Sequence, residues 1–540
     1  MTEQIEGHGG QLALAGLKAF GVREVFTLSG GHIFPLYDAA RTDGVRIVDV
    51  RHEQSAVFAA EAVAKLQRRP GLAALTAGPG VTNGVSGITS AYFNGAPVIV
   101  LGGRAPQFRW GAGSLQEIDH VPLVTAITKK AATVTATDDV AGALHDAAVT
   151  ALTPHRGPVF LDLPLDVIFS HGSASLPAGA TIDPIEPDPD EVAKAAALLA
   201  AAERPVIIAG SDVYAGDAVA ALREAAESLQ IPVFTNGMGR GSLPPSHPLA
   251  FTKARRAATK GADVIAVVGT PLDFRLSFGD FGDAQVVHIV DAPSQRAGHV
   301  QPAASPAGDL RLTLSALADY RGTRADHSDW VEKLRQIEDA ARAAETAELE
   351  ADTDPIKPGR IYGELRQILE PDAVTIGDGG DFVSYAGRYL EPAQPGTWLD
   401  PGPYGCLGTG MGYAMGARIT YPDRQVCVLF GDGAAGFSLM DVETLVRQKL
   451  PVVMVVGNNG IWGLEKHPMQ ALYGYDVAAD LQPGLRYDTV VEALGGGGET
   501  VEKPSDLGPA LRRAFDAGVP YLVNVLTDPG DAYPRSSNLA

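Results

Sequence analysis

Two short polar clusters in this 540-residue chain combine residue types and spacing that can hold a charged ligand. Gly431-Asp432-Gly433 follows the apolar run Val426 to Phe430, and Asn458-Asn459 follows the apolar run Val452 to Val456. In a parallel α/β sheet both clusters fall at the carboxyl ends of strands, where such sheets bind ligands. Glycines let the backbone approach an anion, and the amides of Gly433 and Ala434 can face phosphate oxygens at the start of a helix. Asp432 offers a hard oxygen to a cation. Mg²⁺ prefers near-octahedral oxygen ligation, which Asp432, the Asn459 side chain, the Ile461 carbonyl and two phosphate oxygens could largely supply. Taken singly, Gly-Asp-Gly is a turn and Asn-Asn a helix cap; the spaced pair, each member after a strand, points to a cofactor site.

The elements that must position these residues read as β-rich runs alternating with helical patterns. Strands are expected at Glu24 to Leu28, Arg46 to Val50, Leu72 to Ala77, Val98 to Gly102 and Val159 to Leu163, within an N-terminal domain spanning 1–172. The alternation resumes over 190–320, with strands at Val206 to Ala209, Val264 to Val268 and Val286 to Val290, and again over 359–530, with strands at Val374 to Ile376, Val426 to Phe430, Val452 to Val456 and Tyr521 to Val525. The fold class is α/β, three tandem doubly wound parallel-sheet domains. A polar, Pro-rich stretch from Ser173 to Pro189 reads as one linker, and 321–358, with its charged helical stretch from Asp326 to Glu350, as a second. Three comparable units in tandem suggest duplication at the domain level.

Composition narrows the function. The formal net charge of −21 opposes non-specific binding to nucleic acid or anionic membranes. The two cysteines, Cys406 and Cys427, give no disulfide framework or cysteine metal site, which fits a reducing cytoplasm. The first residues lack a signal-peptide pattern, and no stretch approaches the ~20 apolar residues of a spanning helix.

The Gly-Asp-Gly to Asn-Asn pair, with Arg51-His52-Glu53-Gln54 and Leu75-Thr76-Ala77-Gly78-Pro79-Gly80-Val81-Thr82-Asn83-Gly84, resembles the thiamin-diphosphate enzymes of the acetolactate synthase, oxalyl-CoA decarboxylase and 2-hydroxyacyl-CoA lyase group, over nearly the whole chain. The resemblance implies thiamin diphosphate and Mg²⁺ as cofactors, the pyrimidine end held by the first domain and the diphosphate and metal by the last. It carries over Glu53 as the carboxylate that hydrogen-bonds a pyrimidine nitrogen and activates the cofactor, a role suited to a buried carboxyl. It places Asp432, Asn459 and Ile461 on the metal, and Gly80, Asn83, Gly380, Leu407, Gly431, Gly433, Ala434 and Trp462 with Glu53 around the cofactor. In Gly405-Cys406-Leu407-Gly408-Thr409-Gly410, Leu407 aligns with the apolar side chain that props the cofactor rings into a bent shape; several relatives carry Met there. Gln116, in Ser114-Leu115-Gln116-Glu117, matches a Gln that faces the reacting centre, where a neutral amide can donate to an oxyanion. His32 and Leu115 are expected near substrate.

Within this group the flavin-binding synthases carry a Met-His-Gly element where this chain reads Phe251-Thr252-Lys253-Ala254-Arg255-Arg256-Ala257-Ala258, so FAD is not expected. The stretches Met238-Gly239-Arg240-Gly241 and Leu272-Asp273-Phe274-Arg275, and Asn459-Gly460-Ile461-Trp462, look like the 2-hydroxyacyl-CoA lyase branch. That branch implies cleavage of a 2-hydroxyacyl-CoA to formyl-CoA and an aldehyde or ketone, with acyl-CoA and carbonyl compounds as substrates; an acetolactate synthase or other 2-oxoacid decarboxylating enzyme is the alternative within the family. A regulatory subunit with a degenerate fold is the non-enzymatic one, and the presence of Glu53, Asp432 and Asn459 speaks against it. Some relatives bind ADP in the central domain, where Asp291 could meet a ribose, although Thr270-Pro271 replaces their Ala-Arg pair. The family also implies a homodimer or homotetramer with sites between subunits. Residues 531–540, with Arg535 and Ser537, could form a lid over an anionic CoA segment.

Overall fold

The structure is a computed structural model that describes residues 2–177, 181–531 and 533. Short β-branched runs bounded by glycine and proline form three separate all-parallel sheets. The first has the order Arg46–Asp49, Glu24–Thr27, Gly71–Leu75, Val98–Arg104, Val159–Pro164, Lys130–Thr133. The second runs Ala250–Phe251, Val233–Thr235, Pro205–Ala209, Val264–Val268, Gln285–Ile289, and the third Trp398–Leu399, Val374–Asp378, Val426–Gly431, Val453–Asn458, Tyr521–Leu526, Gly497–Val501. With strands counted in chain order inside each unit, the first and third sheets share the order 2-1-3-4-6-5, whereas the central one is 3-2-1-4-5. The duplication suggested by the sequence thus has a topological counterpart in the outer two units and not in the central one.

Five strands of these three sheets went unread in the sequence: Lys130–Thr133, Val233–Thr235, Ala250–Phe251, Trp398–Leu399 and Gly497–Val501. Four of them are sheet edges, and the other neighbours an edge. Edge strands are buried less completely and need no continuous apolar run, so the signal is weak. The stretch expected to be linker from Ser173 onward instead begins with the strand His171–Pro177, antiparallel to Thr2–His8. The charged helical stretch is the helix Ser328–Leu349, whose Trp330 indole donates to the Pro205 carbonyl under the central sheet. Among the described residues no helix is long and apolar enough to cross a membrane.

The outer units are fused through two helices. Glu53–Gln67 is Ala-rich and buried on nearly every face, because its own sheet covers one side and the helix Thr409–Thr420 the other. The close approach depends on small residues. A Cβ on Gly412 would lie 2.5 Å from Phe58 Cβ, and one on Gly416 would lie 2.6 Å from the Ala59 carbonyl oxygen and 2.7 Å from Ala62 Cβ. One apolar core therefore runs from the first sheet through both helices into the third. Asp441, buried, accepts from the Arg51 amide at 2.6 Å and the Ser55 hydroxyl at 2.6 Å, tying the entry of the first helix to the last unit. Gly416→Ala tests this packing: overpacking of about 1–3 kcal/mol outweighs the ~1 kcal/mol of helix propensity that Ala adds. The midpoint of urea unfolding should fall, and an unchanged or raised midpoint would contradict the close-packed helix pair.

Candidate functional site

In the third unit the strand order reverses between Val374–Asp378 and Val426–Gly431, so their carboxyl ends open a crevice. Asp432 sits there with 2% of its surface exposed. One carboxylate oxygen accepts from the Gly433 amide at 2.9 Å and the other from the Gly460 amide at 2.7 Å. A single side chain thereby joins the Gly-Asp-Gly and Asn-Asn motifs. The Tyr487 hydroxyl donates to the Asp432 carbonyl at 3.0 Å. Asn459, half-buried, accepts through Oδ1 from the Ile461 amide at 3.2 Å, while Asn458 points inward to the Leu485 carbonyl and Asn524. The Trp462 ring covers Gly433, where a Cβ would lie 2.5 Å from it.

The donor chemistry fits a hard divalent cation. A buried carboxylate stands beside the Asn459 segment, from whose Gly460 amide it accepts, and the carboxylate's partners are neutral amides that leave its charge uncompensated. Burial pushes the Asp432 carboxyl up to about 6, with the Gly460 and Gly433 amides opposing the rise. Beside it, a Cβ on Gly379 would lie 2.6 Å from Leu407 Cδ2 and 2.7 Å from Ala434 Cβ, whereas Gly380, at φ 59°, faces open space. Leu407 and Ala434 thus meet at Gly379, with Gly380, Gly431 and Gly433 near them in the chain.

The first unit builds a second cluster at the ends of its own strands. Glu53 is the first residue of its helix, capped by His52, whose ring accepts from the Gln54 amide. It is 7% exposed and accepts from Asn83 Nδ2 at 3.0 Å. Gln116 stands at φ 60°, left-handed backbone uncommon outside glycine, and packs on Gly78, where a Cβ would lie 2.9 Å from Gln116 Cβ. The loop before it is fastened by Glu117, which accepts from the Gly111 and Ser114 amides. His32 meets the Thr76 hydroxyl at 3.2 Å and is held below the usual histidine range by burial, with the Leu115 carbonyl opposing the shift. A Cβ on Gly80 would lie 2.8 Å from Thr76 Cγ2. His32, Gly80, Asn83, Gln116 and Glu53 therefore border one region, and the Leu115 side chain stands 78% exposed at its rim.

Three side chains in these clusters escaped the sequence reading. His120 is fully buried, accepts from the Gly78 amide at 3.0 Å and pairs with Asp162 at 3.2 Å, which Arg104 also meets at 2.7 Å. The available signal was Asp162, an acid inside the apolar run Val159–Pro164. Asp378 likewise ends an apolar strand, and accepts from the Gly408 and Gly410 amides at 3.0 and 2.8 Å.

The two clusters meet along the helix pair. A Cβ on Gly408 would lie 3.1 Å from Gln54 Nε2. Glu53 itself bonds Asn83, and among the described residues no hydrogen bond joins it to Asp432 or Asn459. At the central sheet Asp291, which could meet a ribose, accepts from His155 of the first unit at 3.1 and 3.2 Å. Arg535 and Ser537 lie outside the described residues; Tyr533, just before them, packs edge-on against Tyr385.

Family models for the N-terminal TPP binding domain, the central domain and the C-terminal TPP binding domain of thiamine pyrophosphate enzymes match residues 7–123, 192–317 and 378–525. The chain is 53% identical over 539 residues to a probable acetolactate synthase of Mycobacterium bovis, covering 99% of this chain and 98% of that one, and to the same extent to the acetolactate synthase large subunit IlvG of Mycobacterium tuberculosis. It is 35% identical over 583 residues to 2-hydroxyacyl-CoA lyase 2 of Caenorhabditis elegans, covering 97% and 90%.

Asp432 can ligate a cation only as the carboxylate, so a proton competes with the metal below its pKa of about 6. Affinity of the apo-protein for thiamin diphosphate with Mg²⁺ should be flat above pH 7 and fall by about tenfold per unit below 6. Asp432→Ala should abolish retention at every pH. Fluorescence titrations between pH 5 and 8 check this, and tight binding by Asp432→Ala after dialysis would contradict it.

Proposed function

The chain belongs to the thiamine pyrophosphate enzymes and is a lyase or carboligase dependent on that cofactor; from this premise we propose that it is a 2-hydroxyacyl-CoA lyase, cleaving its substrate reversibly to formyl-CoA and an aldehyde or ketone. The observation that carries this choice lies in the central unit. Where the flavin-binding synthases carry their Met-His-Gly element, the amides of Thr252, Lys253 and Ala254 all donate to the Glu338 carboxylate of the linker helix, at 3.1, 2.7 and 2.8 Å. Arg342 bridges Glu338 to Glu391 of the third unit. These main-chain donors are consumed within the chain, which favours the flavin-free branch. Nor does the reading need ADP at the central sheet, since Asp291 is engaged by His155.

In this reading Asp432, the Asn459 side chain and the Ile461 carbonyl hold Mg²⁺, while the Gly433 and Ala434 amides face the diphosphate. Leu407 supports the rings, with Gly380, Gly431 and Trp462 completing the wall, and Gly80 and Asn83 border the pyrimidine end. Glu53 holds a proton at the pyrimidine nitrogen. Thiamin diphosphate held by these residues would supply a nucleophilic carbon and an electron sink for the carbon–carbon bond cleavage. Gln116 donates its amide to the substrate oxygen, and His32, kept neutral by burial, and Leu115 border the substrate carbon. The bond between the thioester carbonyl carbon and the hydroxyl-bearing carbon breaks, the hydroxyl proton is released as the new carbonyl forms, and a proton is delivered to give formyl-CoA.

As the family implies, each site is proposed to be completed by a second copy, in a homodimer or homotetramer. Apolar side chains left exposed beside the clusters, among them Phe437, Met440, Phe108 and Leu115, support this. The domain limits expected above and a lid role for 531–540 belong to the same proposal. A second reading, acetolactate synthase, is favoured by the names of the 53% identical relatives.

The deciding assay supplies purified protein with formyl-CoA and a panel of aldehydes and ketones, beside pyruvate alone, and identifies products by mass. Formation of 2-hydroxyacyl-CoA is the expected result; acetolactate from pyruvate, with flavin in the purified protein, would favour the synthase. In either reading Glu53→Gln should keep cofactor but lose about 10²–10⁴-fold in turnover, since an amide cannot share the proton. Near-normal exchange of the cofactor's reactive proton in that variant would reject the role.

A further inference from the structure

Asp378 ends the strand Val374–Asp378 with its carboxylate 1% exposed. Its two oxygens divide between two donors, Oδ1 taking the Gly408 amide at 3.0 Å and Oδ2 the Gly410 amide at 2.8 Å. No Lys, Arg or His forms a salt bridge with it among the described residues. Burial pushes its carboxyl up to about 7, with the amides of Gly410, Gly408 and Thr409 opposing the rise. An acid this costly to bury would be replaced by an apolar residue if packing were its whole purpose.

Its placement supplies a purpose. The residues it grips immediately follow Leu407 and begin the helix Thr409–Thr420. The loop before them is irregular, with Gly402, Gly405 and Gly408 all at positive φ, so the chain around Leu407 has little local stiffness of its own. On the opposite side, Gly379 leaves room for the Leu407 side chain against Ala434. A rigid strand end thus holds, through one carboxylate, the main chain that aims Leu407 into the crevice.

We propose that Asp378 is a positioning residue, whose two-oxygen grip on the Gly408 and Gly410 amides sets Leu407 against the cofactor rings and so controls proton removal from the cofactor rather than its binding. The inference rests on the reading of Leu407 as the prop. Asparagine at 378 is nearly isosteric but turns an N–H toward one of the two amides, which releases that half of the grip.

The test compares Asp378→Asn, Leu407→Ala and the double variant by three measurements: thermal unfolding, fluorescence titration of the apo-proteins with thiamin diphosphate and Mg²⁺, and deuterium exchange of the cofactor's reactive proton in the loaded proteins. Each single variant should bind within about threefold of the unaltered protein yet exchange at least about tenfold more slowly, as a misplacement of the order of 1 Å would cause. The double variant should be no slower than the slower single one, because both changes remove the same contact. If Leu407→Ala exchanges normally, the prop reading fails. If Leu407→Ala is slow but Asp378→Asn is normal, or the two losses multiply, only the Asp378 proposal falls. Should Asp378→Asn not accumulate as folded protein, Asp378→Ser, which leaves a gap instead of an opposed donor, takes its place. Loss of cofactor binding or of folding in step with exchange in both would show a general structural role and overturn the proposal.

Discussion

The carboxylate of Asp432 is bonded at once to the amide beside it and to that of Gly460, 28 residues further on. These donors belong to the connections after two neighbouring strands, Val426–Gly431 and Val453–Asn458, so one side chain sets the separation of the two motifs. Hydrogen bonds to a charged group contribute about 1.5–3 kcal/mol each, against a desolvation cost of several kcal/mol for a buried ion. The balance is close enough for burial to raise the carboxyl to about 6. A divalent cation, which prefers hard oxygen ligands, would remove that frustration. The cradle of Gly433, Ala434 and Trp462 takes its shape from this arrangement, because the helix Asp432–Ser438 starts at the same residue.

The same carboxylate logic recurs wherever the outer units must be held in register. Asp441 takes the Arg51 amide and the Ser55 hydroxyl, so the turn that presents Glu53 is fixed by the third unit of the same chain. Deeper in the interface the fully buried Glu61 accepts from Tyr413 and Asn94, and burial raises its carboxyl as well. Between these polar ties lie Gly412 and Gly416, which allow the two helices to touch backbone to side chain. Polar partners fix the alignment of the pair; the apolar core gives it stability. Glu53 thus reaches its place as a consequence of interface geometry as much as of its own helix.

Much of this was readable from residue types alone. The strands Val426–Gly431 and Val453–Asn458 are central in their sheet and covered on both faces, so they appear as unbroken apolar runs followed by the Gly-Asp-Gly and Asn-Asn motifs. Edge strands such as Gly497–Val501, which opens on glycines, carry no such mark. Long-range pairs were invisible for another reason. His120 with Asp162, His155 with Asp291 and Glu338 with the 252–254 amides join residues 42, 136 and 84 to 86 positions apart, and no local pattern encodes a partner at that distance. Asp291, at a strand end, is met by a histidine from another unit, a contact that its local sequence does not encode.

The electrostatics of the chain also explain why anion recognition takes the form it does. With 64 acidic against 43 basic residues, a broad basic patch is not the means by which this protein attracts a diphosphate. Charge beyond about one Debye length, ~8 Å at physiological ionic strength, is largely screened, so the decisive field is local. The helix Asp432–Ser438 starts at this point, and a metal on Asp432 would turn an acidic residue into a cationic site. In the first unit the logic is reversed. His32 is kept neutral by burial, so the region between Glu53 and Gln116 offers neutral hydrogen-bond donors beside one carboxylate. Burial thus acts on both clusters and disfavours the charged form in each, raising the Asp432 carboxyl and lowering the His32 imidazole.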